Sequence, residues 1–189
     1  PKPQNPIKKN NTIITKLMFS NAPPTRIQKD FKLDDYLGLW YESYRSAGMP
    51  FQKGDEGTAE YAKRNDGLVN VCNSEQRVDV KNPDNKLART VVEGSARFRG
   101  FHHFLIRKNE GRLQVKFSRF QPWGTYDVVE TDYTSYAIIF SKFNALCFNR
   151  TFCWVLTRKP YKEDDEELIR IKERAMTILE EDVDDFNFD

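Results

Sequence analysis

From Phe31 onward the chain is a succession of short runs of β-forming residues separated by turn signals, ending in a single stretch with helical spacing. About eight such runs in meander order would leave two unpaired edges, and full closure into a barrel removes both. The expected fold class is therefore all-β: an eight-stranded antiparallel up-and-down β-barrel with one C-terminal α-helix packed outside. A barrel of that size has an interior that side chains either fill or line around one small ligand.

Two runs alternate cleanly. Val92, Gly94, Ala96 and Phe98 oppose Glu93, Ser95 and Arg97, while Leu113, Val115 and Phe117 oppose Gln114, Lys116 and Ser118. Each run has one dry face and one wet face. Asn65-Asp66-Gly67, lying between Tyr61 and Val71, supplies the left-handed positions of a tight turn and predicts a hairpin; Asn109-Glu110-Gly111 predicts another before Arg112. Tyr136 to Phe140 and Phe152 to Leu156 are apolar on both parities, which calls for a cover on their outer face. The segment from about Asp164 to Glu181 provides one, because Leu168, Ile171, Ala175, Ile178 and Leu179 form a single helical stripe. Acidic residues crowd its first turn, where the helix dipole favours them.

A chain of 189 residues can bury one core and is short for two. Residues 1–30 hold Pro1, Pro3, Pro6, Pro23 and Pro24 with no sustained period and are expected as an extended arm, 31–162 as the barrel, and 163–189 as the helix and an acidic tail. The formal charge of +2 conceals a division: 163–189 carry 12 acidic and 3 basic side chains. The basic residues before them are interspersed with acidic ones rather than gathered in a stripe, so nucleic acid is not an expected partner. No apolar run reaches membrane-spanning length, and Ile13 to Phe19 is broken by Thr15 and Lys16. Asn10-Asn11-Thr12 and Asn149-Arg150-Thr151 fit the N-glycosylation sequon. The expected setting is secreted, or a secretory or vacuolar lumen, after removal of a signal peptide. Cys147 and Cys153 either face each other across the last hairpin as a disulfide or remain two buried thiols, and Cys72 falls on the outward parity of its strand. His102-His103 point to opposite faces of a strand with no third ligand nearby, so no metal is expected, and no cofactor either.

Three short motifs narrow the class. Gly38-Leu39-Trp40, within Tyr36 to Glu42, resembles the first lipocalin signature, G-x-W, in the form shared by apolipoprotein D-type and bacterial lipocalins. Thr131-Asp132-Tyr133 is similar to the second signature and Trp154-Val155-Leu156-Thr157-Arg158 to the third, in the family's order and at its spacings. Val115 to Ser118 and Tyr136 to Ile139 extend the likeness, which runs from about Pro23 to Pro160. The resemblance implies that Trp40 plugs the closed end of the barrel, that Arg158 lies across its indole as a cation–π contact, and that the Asp132 loop seals the same end. These roles are structural, and they name a fold without naming a ligand. Ser20-Asn21-Ala22 stand before Pro23-Pro24 where relatives often carry a cysteine, so lipid anchoring is not implied; Gln121 stands where some relatives have Met, so neither is Met-based peroxide reduction.

Parity counted from an inward Trp40 turns Glu42, Tyr44 and Ser46 into the interior, followed by Ala59, Tyr61, Val69, Val71 and Asn73, then Val92 and Phe98, then Val115 and Phe117. Apolar walls with a few polar groups suit a small hydrophobic ligand such as a fatty acid, lysophospholipid, sterol or tetrapyrrole. The opposing expectation is that Tyr61, Phe98 and Phe117 fill the barrel. Assembly into homo-oligomers, contact with a lipid surface, a protective role towards lipid oxidation, and a lipocalin-type isomerase using an interior cysteine are the other readings. No Ser, His and Asp constellation or phosphate loop supports catalysis, and no enzyme is expected.

Overall fold

A computed structural model describes residues 26–46, 52, 54–77, 79, 81, 87–99, 110–145 and 148–184, with the backbone alone for 142–151 and 179–184. The expected turn residue Asn109, His102, His103, Cys147, Asn10 and most of the N-terminal arm lie outside these residues. A one-turn helix, α1 (Leu33–Tyr36), leads into strands β1 (Gly38–Arg45), β2 (Asp55–Lys63), β3 (Val69–Gln76) and β4 (Thr90–Phe98). Strands β5 (Arg112–Lys116), β6 (Gly124–Thr131), β7 (Tyr136–Ala145) and β8 (Phe148–Thr157) follow, and helix α2 (Glu166–Asp184) ends the fold. Each strand pairs antiparallel with the next, and β1 pairs with β8, so the sheet closes on itself. The barrel, its strand order and its single outer helix are those expected.

The alternating runs pair as their parity requires. Val71 stands opposite Gly94, Ala96 opposite Val115 and Phe98 opposite Leu113, all facing inward. The β2 to β3 turn is made at Asn65-Asp66-Gly67, with Gly67 at φ +80°, and Asp66 accepts the Leu68 N–H and clamps Arg64. Gly111 joins two segments: its N–H donates to the Gln28 carbonyl and its own carbonyl accepts the Val128 N–H. Gln28 in turn donates its N–H to the Val128 carbonyl. Residues 26–30, assigned by composition to the arm, are thus tied to the barrel wall, and Ile27 is buried. The stretch between Lys142 and Thr151 lengthens β7 and β8 as a ladder from Lys142 opposite Thr151 to Ala145 opposite Phe148.

Two cores result. The inner one gathers Phe31, Tyr36, Trp40, Ala59, Tyr61, Val69, Val71, Ala96, Leu113, Val128, Ala137, Ile139 and Leu156. The outer one places Ile171, Ala175 and Ile178 of α2 on Val129, Ile138, Phe140, Cys153 and Val155, which explains why the last strands are apolar on both parities. A β-bulge in β6 between Val128 and Glu130 turns Val128 inward and Val129 outward, and leaves Glu130 facing the helix. Arg174 meets Glu130 in a two-pronged ion pair at 2.7 and 2.9 Å, Arg26 reaches the same carboxylate at 3.1 Å, and the Tyr136 hydroxyl donates to it at 2.7 Å. One carboxylate therefore joins the helix, the barrel and the N-terminal segment.

Replacing both Leu168 and Ile171 by Asp puts two charges under the helix and should lower stability by more than about 3 kcal/mol, with light scattering rising as the outer strands are uncovered. An unchanged denaturation midpoint would show that α2 contributes nothing to the barrel.

Candidate functional site

The lower end of the barrel is sealed by side chains that converge on Trp40. Its ring is fully buried, its indole N–H donates to the Tyr36 carbonyl at 2.8 Å, and the Arg158 guanidinium lies 3.7 Å from the ring centroid. Arg158 is held there by three backbone carbonyls, those of Tyr133, Leu39 and Asp35, at 2.9, 3.0 and 2.8 Å. Gly38 enters β1 at φ +93°, a conformation open to glycine, and its α-carbon faces the Arg158 guanidinium. The Asp132 carboxylate accepts the N–H groups of Thr134, Ser135 and Tyr136, and Thr131 Oγ1 links the Tyr136 carbonyl to the Tyr133 N–H. The sequence motifs thus meet as one closed end, with Tyr133 stacked near Phe31.

Above the floor sits a layer that the sequence pattern revealed only in part. Tyr126 shares hydrogen bonds of 2.7 Å with both Tyr36 and Tyr61, so three phenols are joined inside an apolar shell. Burial raises all three, Tyr61 to about 12, and they stay neutral. Tyr126 was missed because the run Gly124 to Thr131 mixes small and polar residues and gives no clear alternation. The lower half is filled by aromatic side chains, Phe98 among them. Here the filled-barrel expectation describes the molecule.

The upper half differs. Val69 and Val71 are buried, but further up the same inward faces Asn73, Val115 and Phe117 remain partly accessible and Val92 is 42% exposed. Phe152 and Trp154 of β8 face them, their rings 6.2 Å apart. Neither was among the expected lining residues, although both lie on the parity of Leu156. Ala59 lies between Trp40 and Asn73 in the ladder. Among the described inward side chains, accessibility thus rises away from the floor at Val92, Val115, Phe117 and Trp154, while Phe152 stays buried.

Parity fails in β1. A bulge between Glu42 and Tyr44 inserts Ser43, whose hydroxyl pairs with that of Thr157 at 2.6 Å, and every later residue changes face. Tyr44, expected inside, packs with the outer core under α2, and Ser46 bonds the Cys153 backbone in both directions. Arg45 takes the inward place instead. It meets Glu42 at 3.1 Å and Glu75 at 3.6 Å, and its other terminal nitrogen donates to the Gly54 carbonyl. Gln52 donates to Glu42 at 3.2 Å and accepts the Trp154 indole N–H at 2.9 Å. Glu42 lies over Gly57, where a β-carbon would come within 3.0 Å of it, so that glycine makes room for the carboxylate. Burial raises the Glu42 carboxyl above its ordinary value; Arg45 works against this and Glu75 adds to it. The interior expected to have apolar walls with a few polar groups thus contains an ion cluster.

The cysteines lie elsewhere. Cys72, opposite Glu60 and Glu93, faces outward, and Cys153 is a free thiol in the outer core, pushed up to about 12 by burial. Among the described residues no group of His, Cys, Asp and Glu is placed to hold a metal.

The family model for a lipocalin-like domain matches residues 31–182. The chain belongs to the lipocalin family. It is 33% identical to apolipoprotein D of Cavia porcellus over 144 residues, 76% of this chain and 69% of that one. It is 34% identical to the outer membrane lipoprotein Blc of Vibrio cholerae over 139 residues, 71% of this chain and 68% of that one. Insecticyanin from the tobacco hornworm Manduca sexta shares the fold with a TM-score of 0.63 at 17% identity, covering 86% of this chain and 80% of that one. In this lipocalin the three signatures therefore act together at the closed end.

Trp40→Ala should cost about 3–5 kcal/mol, as for other buried tryptophans, and Arg158→Ala about 2–3 kcal/mol through the lost ring contact and hydrogen bonds. Thermal midpoints that leave Trp40→Ala unchanged would contradict a floor built on this residue. The closed end also sets an acid limit. Hydrogen bonding to Arg174 leads the causes that lower Glu130; for Asp132 burial acts upward, but the backbone N–H donors together outweigh it and the carboxyl is lowered. Stability from depressed carboxylates is complete above their unfolded values, roughly 4, and is lost as the pH falls through the folded ones. The melting temperature should fall between about pH 5 and pH 2.5, and less steeply in the Glu130→Gln, Asp132→Asn double variant.

Proposed function

We propose that this lipocalin binds and carries one small hydrophobic molecule, its apolar part lying in the upper half of the barrel and its polar end near Glu42 and Asn73. The observation that carries this is the contrast between the two ends: Phe31, Tyr36 and Trp40 are almost fully buried at the floor, while Val92, Val115, Phe117 and Trp154, unlike the buried Phe152 beside them, stay partly accessible at the other end. Ala59, Tyr61, Val69, Val71 and Phe98 form the base on which such a ligand rests. Each buried methylene contributes about 0.8 kcal/mol, so an alkyl chain of a dozen carbons reaches micromolar affinity after the costs of association. Catalysis forms no part of this reading, because the described thiols face away from the interior.

Loading from a lipid surface accords with the β5 to β6 hairpin, which lies at the open end. Phe120 is 88% exposed there, and Arg97 and Lys116 flank the Trp123 ring at 4.1 and 4.8 Å. Aromatic rings beside cations suit the interface of an anionic bilayer. The names of the relatives, an apolipoprotein and an outer membrane lipoprotein, together with the sequon at Asn149, support a setting outside the cytoplasm.

Native mass spectrometry of protein purified without detergent should show an adduct of a few hundred daltons that is lost on unfolding and recovered by lipid extraction. A bare mass, together with no fluorescence change on adding fatty-acid, sterol and tetrapyrrole probes, would overturn the carrier reading in favour of a filled barrel.

A further inference from the structure

We propose that the turn between β5 and β6, residues 117–123, docks this lipocalin on an anionic lipid bilayer, with Phe120 entering the acyl boundary and Arg97, Lys116 and Arg119 facing the lipid phosphates. The inference rests on the carrier reading for its use, since it names the surface from which the ligand is taken up. Phe120 stands at the tip and is 88% exposed, and Ser118, Arg119, Gln121 and Pro122 around it are exposed as well. The turn is tied to itself. The Gln121 N–H donates to the Ser118 carbonyl at 3.2 Å, the Phe120 N–H to the Ser118 hydroxyl at 3.3 Å, and the Phe117 N–H to the Gln121 side-chain carbonyl at 3.3 Å. An ordered turn thus holds an apolar ring out in water, and lipid would bury it.

The order of groups along the hairpin matches the layers of a bilayer surface. Behind the tip, Trp123 lies on the outer wall with the Arg97 guanidinium 4.1 Å and the Lys116 ammonium 4.8 Å from its ring centroid, while the Arg119 guanidinium lies 5.3 Å from that of Phe120. An apolar ring leads and an indole with cations follows, as at a membrane interface, where tryptophan sits at head-group depth and basic side chains reach the phosphates. The charge is unbalanced. Residues 117–123 contain no acid, and of the carboxylates on β4, β5 and β6, Asp127 meets Arg99 and Glu130 meets Arg174, which leaves Glu93 against three cations. Anionic lipid complements that surplus, whereas a single ring is too little for the packed apolar centre of a protein interface. From the tip the apolar surface leads inward. Phe117 lies against Gly94, where a β-carbon would come within 2.6 Å of its ring, and Val92, next to Gly94 on that inward face of β4, is 42% exposed. β4 extends beyond its last pair with β5, Ser95 opposite Lys116, so docking here brings the accessible Val92 and Phe117 to the lipid surface.

The test is co-sedimentation of the full chain with vesicles of phosphatidylcholine alone and of equal parts phosphatidylcholine and phosphatidylglycerol, at about 0.1 M salt. Each basic residue at such a surface strengthens binding roughly fivefold, so the mixed vesicles should bind at least tenfold more tightly, and about 0.5 M salt should remove most of the difference. Phe120→Ser, and the double variant Lys116→Gln, Arg119→Gln, should each weaken binding to the mixed vesicles at least fivefold with the melting temperature unchanged, since none of these side chains belongs to the core. Lipid brominated on its acyl chains should quench a fluorescence that Trp123→Phe removes. Equal binding to both vesicles, no binding to either, or binding unchanged in both variants overturns the docking surface while the carrier reading stands. A concentration-dependent dimer that Phe120→Ser abolishes, with no vesicle binding, also overturns it and assigns the tip to a second copy of the chain. Vesicle binding by a protein that shows neither a native-mass adduct nor a probe response upholds the docking surface and ends the carrier reading.

Discussion

A barrel can hold a ligand only if one end is closed, and here the closure depends on Arg158 lying flat on Trp40. The guanidinium covers one face of the indole while three carbonyls, from the α1 segment, β1 and the Asp132 loop, fix its plane. Asp132 orders its loop through three N–H groups, and that loop presents the Tyr133 carbonyl to Arg158. The floor is thus a mutual arrangement: the ring needs the cation for its outer face, and the cation needs the loop for its orientation. On this base the aromatic layer of Tyr36, Tyr61 and Tyr126 rests, and its buried hydroxyls are satisfied within the layer rather than by the space above.

What the sequence made legible was the periodic part of the structure. Period-two runs such as Val92 to Phe98 give their pairing and their inward face directly, and the doubly apolar runs of β7 and β8 require the cover that α2 provides. The three motifs, being spaced as in the family, place Trp40, Asp132 and Arg158 together. Parity arguments stop where a ladder slips. One extra residue at Ser43 sends Tyr44 out and Arg45 in, and nothing in the run Glu42-Ser43-Tyr44-Arg45 announces it, since an inward Tyr and an outward Arg read as the more natural arrangement. The charge inside this lipocalin was therefore invisible until the register was known.

Composition misleads in a related way at residues 26–30. Their lack of period reads as an arm, yet their backbone groups complete the pairing of Gly111 and Val128. Side chains carry periodicity, whereas backbone hydrogen bonds leave no trace in residue type. Tyr126 belongs with these omissions: a single aromatic in a polar strand reaches across the interior to two others that were recognisable by signature and by parity.

The central claim is that the molecule divides into a filled lower half and a ligand-accepting upper half. Trp40 lies in the first, Trp154 in the second, and Trp123 outside the barrel beside Arg97 and Lys116. With Trp123→Phe in place, each interior tryptophan can be followed alone by replacing the other with Phe, and a terminally brominated dodecanol used as a contact quencher. The account predicts strong, saturable quenching of Trp154 and little of Trp40. Quenching of Trp40 equal to that of Trp154 would mean that the ligand reaches the floor, and would contradict the division on which this reading of the barrel depends.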